Sequence, residues 1–258
     1  MTSDPRALIG VLRNSHDRLD GLVRPLAPDH LRAQSYDTDW TIAQVLSHLG
    51  SGAEIATLSL AAALGGRGQL DQSAFPAIWD TWNSRSPEMQ AADALTWDAE
   101  HVSRLEALSD EELSSIGLDI FGRQLDAAGL VRLRVSEHAM HVWDVAVSVD
   151  PGATVAEDAI LPVMEQVTQL FQFVAKPAGD SFRVRLRTTG PEGDYLLEVG
   201  ESVTLSPWQD GSAADGEVRL PAEALVRLFY GRLDPEHTPP YSAEGIELDR
   251  LRAVFPGF

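Results

Sequence analysis

Glu137 and His141 stand four residues apart in the run Glu137-His138-Ala139-Met140-His141. On a helix that spacing sets a carboxylate and an imidazole on one face, about one turn apart, where both can grip a single divalent ion. Asp144, three residues past His141, shares that face. A third ligand has to come from another segment. His48 is the candidate, because it borders an apolar stripe of Ile42, Val45, Leu46 and Leu49 and so points into or along a helical interior. Two histidines and a glutamate are the protein ligands of catalytic zinc sites that keep a fourth position open. Structural zinc sites are mostly thiolate-rich, and this chain has no cysteine. A metal held here is therefore expected to be catalytic, with Asp144 orienting a ligand by hydrogen bonding. Zinc is one option; nickel, cobalt and iron accept the same donors. The spacing alone also fits a plain Glu–His surface pair worth about 0.2–0.5 kcal/mol.

Other chemistry-bearing residues read as structure. His138 lies between the ligands in sequence but points about 100° away on a helix, so it flanks or packs. His101 and Glu106 are spaced poorly for shared chelation. Lys176 is the only lysine, and its Ala-Lys-Pro context fits neither a Schiff base nor a phosphate loop. Arg183, Arg185 and Arg187 alternate along a strand without interleaved aromatics, as on a solvated sheet face. Trp79 and Trp82 suit a core or pocket wall.

The elements that must position these residues change character along the chain. Asp4-Pro5 is a helix start, followed by Leu8, Leu12, Leu19 and Val23, and Pro25 and Pro28 end the segment. Thr41-Ile42-Ala43-Gln44 is a capping-box pattern opening a second helix, broken at Gly65-Gly66-Arg67-Gly68. A third helical stretch covers 75–108, with Pro87 as a kink or interruption. Ser109-Asp110-Glu111-Glu112 caps a short helix. The fourth long helix covers 126–147 and carries the Glu–His pair; a fifth covers 155–174. After Lys176 the period changes to two, with Phe182, Val184 and Leu186 alternating against the arginines. Strands are expected at 182–187, 195–199, 202–205 and 217–220, a hairpin turn at Gly190–Asp194, a helix at 221–230 with Pro221 at its first position, and a last short helix at 248–254. The expected organisation is mainly α, with a helical bundle over 1–176 and a small α+β domain over 177–258.

Two segments resemble a known family. Trp40-Thr41-Ile42-Ala43-Gln44-Val45-Leu46-Ser47-His48-Leu49 resembles the W-T-x-x-[DQ]-[VL]-x-x-H-[LI] segment of the mycothiol-dependent maleylpyruvate isomerase family, a branch of the DinB-like four-helix bundles. Arg134-Val135-Ser136-Glu137-His138-Ala139-Met140-His141-Val142-Trp143-Asp144 resembles its R-x-x-E-x-x-x-H-x-x-D helix. Leu228-Phe229-Tyr230-Gly231-Arg232 is similar to its W-L-x-G-R segment, with Phe229-Tyr230 in place of Trp-Leu. Gly245 to Leu251 and Phe255-Pro256-Gly257-Phe258 resemble its closing helix and tail. The resemblance implies an up-down DinB-like bundle followed by a sterol-carrier-like α+β domain. It implies zinc, or another divalent metal, on His48, Glu137 and His141. It implies mycothiol, a small thiol of actinobacteria, as cosubstrate. By the same resemblance Arg232 is the substrate arginine and Asp144 serves the catalytic centre. Arg85 and Trp40 are the candidates for cosubstrate binding.

The reaction then expected is mycothiol-dependent: cis–trans isomerisation of the maleylpyruvate type, or S-transfer to an electrophile. With water in place of thiol the same ligands suit a DinB-like hydrolase, and a non-catalytic metal-binding or stress protein keeps the same fold. Composition narrows the field. With 20 Lys+Arg against 39 Asp+Glu the net charge is −19, which disfavours nucleic acid and anionic membranes. The absence of cysteine excludes disulfides, iron–sulfur clusters and a cysteine nucleophile, so a thiol mechanism needs a thiol from outside. The start is polar, without the apolar stretch of a signal peptide, and a cytoplasmic monomer or homodimer acting on a small anionic electrophile is expected.

Overall fold

Asp4 accepts the Arg6 N–H through its side chain, and Pro5 opens helix α1 (Pro5–Val23). The computed structural model describes residues 4–37, 39–66, 70–120, 122–177, 179 and 181–257. Arg67, Gly68 and Phe258, named above, lie outside the described residues, as do Met1 to Ser3, Thr38, Gln69, Phe121, Ala178 and Asp180. Pro28 starts the short α2 (Pro28–Leu31). Thr41 and Gln44 form a reciprocal cap on α3 (Ile42–Leu64). The Gln44 N–H donates to Thr41 Oγ1, and the Gln44 side chain accepts from the Thr41 N–H.

The stretch expected as one interrupted helix is two helices, α4 (Phe75–Asn83) and α5 (Pro87–Ala107). Pro87 starts a helix rather than kinking one. Ser86 caps it by accepting the Met89 N–H, and proline is tolerated in the first turn because its missing N–H has no partner there. A second capping box, Ser109 with Glu112, opens α6 (Asp110–Ser115). A hairpin of β1 (Gly117–Ile120) and β2 (Arg123–Asp126) follows, which the polar sequence did not announce. Asp126 then caps α7 (Ala127–Val147) by accepting the Gly129 N–H.

The long helices pack in a closed circuit: α1 lies against α5 and α7, and α3 against the same two. Leu19, Leu46, Leu49, Trp82, Leu95 and Val145 fill the interior between them. Gly50 lets α4 approach, since a Cβ there would fall 2.2 Å from the Trp82 ring. The buried Trp82 indole N–H donates to Glu54 across that contact.

The chain divides into two compact units, Met1–Ala153 and Thr154–Phe258. This division falls upstream of residue 176, where the domain boundary is expected. The second unit begins with α8 (Glu157–Thr168) and the one-turn α9 (Phe171–Val174), where one helix over 155–174 was expected. Its strands are β3 (Phe182–Thr189), β4 (Gly193–Val199), β5 (Val203–Pro207) and β6 (Gly216–Pro221). They are followed by α10 (Ala222–Phe229), β7 (Ser242–Glu244) and α11 (Leu248–Val254). Pro221 caps α10 instead of opening it. The strands form one five-stranded sheet in the order β5-β4-β3-β6-β7, antiparallel except for the β3–β6 pair. The physical reason for the earlier boundary is packing. Helix α8 lies against α10, the Lys176 N–H donates to the Val254 carbonyl, and Phe171 meets Phe229 and Phe255 at ring separations of 5.0 and 5.3 Å. Phe229, where the resemblance departs from Trp, is thus a core residue. No helix among the described residues is long and apolar enough to cross a membrane.

Candidate metal centre

His48 sits on α3 beside the apolar stripe, and Glu137 and His141 sit one turn apart on α7. The packing of α3 on α7 brings them together. His48 Nε2 lies 3.2 Å from Glu137 Oε2, and His141 Nε2 lies 3.9 Å from the same oxygen. One ligand atom from each residue falls within 4.8 Å of the others. Three donors held about 2.1 Å from a tetrahedral zinc would stand roughly 3.4 Å apart, so the observed spacing fits such an ion with small side-chain adjustment. Neutral imidazole nitrogens and a carboxylate oxygen are also the right donor types for it. Glu137 and His48 keep about two-fifths of their side-chain surface open, 39% and 38%, whereas His141 keeps 12%. The cluster is therefore open to solvent on one side and backed by protein on the other.

Its ionisation suits cation binding. Desolvation pushes the Glu137 carboxyl up, but the His48 hydrogen bond and the charges of His141, His48 and Arg134 outweigh it and hold the group at about 2. Asp144 is fully buried, and its Oδ2 lies 2.8 Å from His141 Nδ1. A carboxylate only accepts, so Nδ1 carries the proton and Nε2 is the ring nitrogen that faces Glu137. Trp40 forms an aromatic wall, its ring 5.2 Å from that of His48 and 6.1 Å from that of His141.

Of the residues singled out from sequence, His48, Glu137, His141, Asp144 and Trp40 thus meet in one place. Arg85 has other partners in the first unit: its guanidinium lies 3.8 Å over the Trp82 ring and its Nε 3.3 Å from Asp93. Arg232 belongs to the second unit, where its side chain donates to the Tyr230 carbonyl. His101 is buried against Thr57, and Glu106 pairs with Arg13, so the two do not share a ligand site.

Behind the triad lies a polar network that sequence reasoning missed. Buried Asp98, on α5, receives His138 Nε2 at 2.8 Å and His16 Nδ1 at 2.9 Å on one oxygen, and Arg134 Nη2 at 2.8 Å on the other. Ser15 meets His138 Nδ1 at 2.8 Å. Desolvation works against the Asp98 anion, yet His138, His16 and Arg134 together hold its carboxyl well below the usual range. His138 is driven down chiefly by desolvation. A signal existed: Asp98 and His101 continue the buried stripe of Ala91, Ala94 and Leu95 on α5, and a charge on such a stripe demands partners.

Comparison with known proteins follows the same lines. The family model described as the mycothiol maleylpyruvate isomerase N-terminal domain matches residues 12–146. A crystal structure of a mycothiol-dependent maleylpyruvate isomerase is similar, with a TM-score of 0.65 at 15% identity, covering 90% of each chain. A histidine-to-alanine mutant of such an isomerase matches with the same score and coverage at 14% identity. At these identities the likeness is one of fold. No curated protein matches the chain.

Proposed function

The chain belongs to the mycothiol maleylpyruvate isomerase family, and from that premise we propose a metal-dependent enzyme that uses mycothiol to isomerise a maleylpyruvate-like cis-dicarboxylate. The observation that carries the reading is the convergence of His48, Glu137 and His141, from helices far apart in sequence, on one cation-sized space beside Trp40. In this reading α1, α3, α5 and α7 are a DinB-like up-down bundle and the second unit is sterol-carrier-like.

His48, Glu137 and His141 would hold the metal, zinc being the best match to the donor set. Bound there, it would lower the pKa of a coordinated thiol so that thiolate is present near neutral pH. The remaining work belongs to the chain. Asp144 fixes the His141 ring and tautomer through the Nδ1 proton. Trp40 walls the site and screens one side of it from water. Arg232 is the proposed partner for a substrate carboxylate, since a guanidinium pairs with carboxylate bidentately. Arg85 is the proposed contact for the cosubstrate. With the carboxylates held, the thiol sulfur adds to the cis double bond. Rotation about the resulting single bond and expulsion of the same thiol give the trans product, with no net consumption of thiol. The reaction is proposed to run in the cytoplasm, where small thiols stay reduced.

The test combines metal analysis with turnover. Purified chain should carry or take up one zinc, and it should convert maleylpyruvate only when mycothiol is added. His48→Ala should lose both properties. Consumption of mycothiol with an electrophile would shift the reading to S-transfer. Turnover without thiol would shift it to a hydrolase. Metal-free wild-type activity would overturn the metal reading.

A further inference from the structure

One carboxylate joins all the long helices of the first unit. Asp98 stands on α5, takes His16 from α1 and His138 from α7, and pairs with Arg134, also from α7. Arg134 completes the set, because its Nη2 also donates to the backbone carbonyl of Leu49 on α3, at 2.9 Å. Leu49 is the residue next to His48, and Arg134 lies one helical turn before Glu137. The guanidinium therefore crosses from α7 to α3 one turn away from the place where the candidate ligands face each other.

The location matters because of how the helices pack. Of the long-helix pairs in the circuit, α3 and α7 share the smallest contact. The backbones thus approach least extensively in the pair whose separation sets the distance from His48 to Glu137 and His141. Arg134 is buried, its Nε has no hydrogen bond, and Nη2 makes both the Leu49 and the Asp98 contacts. A buried guanidinium held this way has little freedom to shift. Gly52 on α3 leaves it room: a Cβ at that position would sit 3.0 Å from Arg134 Nη1.

We infer that Arg134, anchored by Asp98 and admitted by Gly52, is a positioning residue that sets the spacing of α3 and α7 and thereby the geometry of the His48–Glu137–His141 site. This inference rests on the proposed metal site. It predicts that metal affinity and fold stability respond differently to substitution.

Two variants of the full chain separate the possibilities, each with zinc affinity measured by chelator competition and melting temperature measured metal-free. Arg134→Met removes both ties and should weaken zinc binding by roughly 10–100-fold, as loss of an orienting partner does at zinc sites. Gly52→Ala keeps every polar group, and its gain in helix propensity offsets the strain of pressing on Arg134, so the metal-free melting temperature should stay close to wild type while zinc affinity falls. That divergence is the signature, since simple destabilisation lowers both together. Should Arg134→Met fail to fold, Gly52→Ala decides alone. Wild-type zinc affinity in Gly52→Ala, or a loss that merely parallels a drop in melting temperature, overturns the positioning role. A wild-type chain that binds no zinc overturns the metal reading, and this inference with it.

Discussion

At the candidate centre the controlling atom is one ring nitrogen of His141. Asp144 can only accept, so it keeps the proton on Nδ1 and leaves Nε2 as the nitrogen facing Glu137. Asp144→Asn offers the same nitrogen an amide that can donate as well as accept, so the proton is no longer held on Nδ1. We expect zinc affinity to fall by about 10–100-fold with the helical content unchanged, read by chelator competition and circular dichroism. Unaltered affinity would remove Asp144 from the site. Three of the four polar residues of the cluster, Glu137, His141 and Asp144, were legible because helical spacing alone gathers them on one face of α7. His48 was legible only as a histidine beside an apolar stripe, and its partners are a fact of tertiary packing.

Among the elements, the helices announced by caps were the ones read well. Asp4-Pro5, the Thr41–Gln44 box and Ser109–Glu112 all cap helices as their side-chain chemistry dictates. Pro87 was ambiguous because proline both breaks a helix and begins one, and only the Ser86 hydroxyl on the Met89 N–H settles which. The division after Ala153 was hidden for a different reason. Helix 157–168 is as helical in sequence as its predecessors, and only its packing on α10 assigns it. The buried histidines of the first unit have a consequence for acid stability. Burial drives His101 down to about 3, and it drives His138 down as well. Between about pH 6.5 and 3 the unfolded chain binds a proton at His101 that the folded chain refuses, so stability falls as pH falls. Each such group costs up to about 1.4 kcal/mol per pH unit inside its window. Asp98, depressed instead, adds its loss only at lower pH, below the ordinary carboxylate range. Denaturant midpoints of the metal-free protein should therefore decline already between pH 6.5 and 4.5, where carboxylates contribute little. His101→Phe should flatten that decline, and a wild-type midpoint constant over the interval would refute the argument.

For the whole molecule, the absent cysteine and the charge of −19 set the terms on which a small anionic substrate and an external thiol could be used. No side chain of this protein is a thiol, so thiol chemistry at the proposed His48–Glu137–His141 site would need a cosubstrate to bring it. The net charge acts in the opposite direction on a dicarboxylate: at long range the protein repels it, and only a short-range contact such as the proposed Arg232 pair favours it. Salt separates the two effects by distance. At 10 mM ionic strength fields reach about 30 Å, and at physiological strength about 8 Å, so added salt removes the long-range repulsion before it weakens a contact pair. The kcat/KM for a dicarboxylate should therefore rise with salt over this range, by a factor on the order of 2–10, whereas an enzyme that steers its substrate electrostatically slows. An uncharged electrophile measured alongside should show no such rise. A fall in kcat/KM for the dianion would mean that the local field at the site already overcomes the −19 of the whole chain, and it would assign the dominant electrostatics to the arginines rather than to the acidic surface.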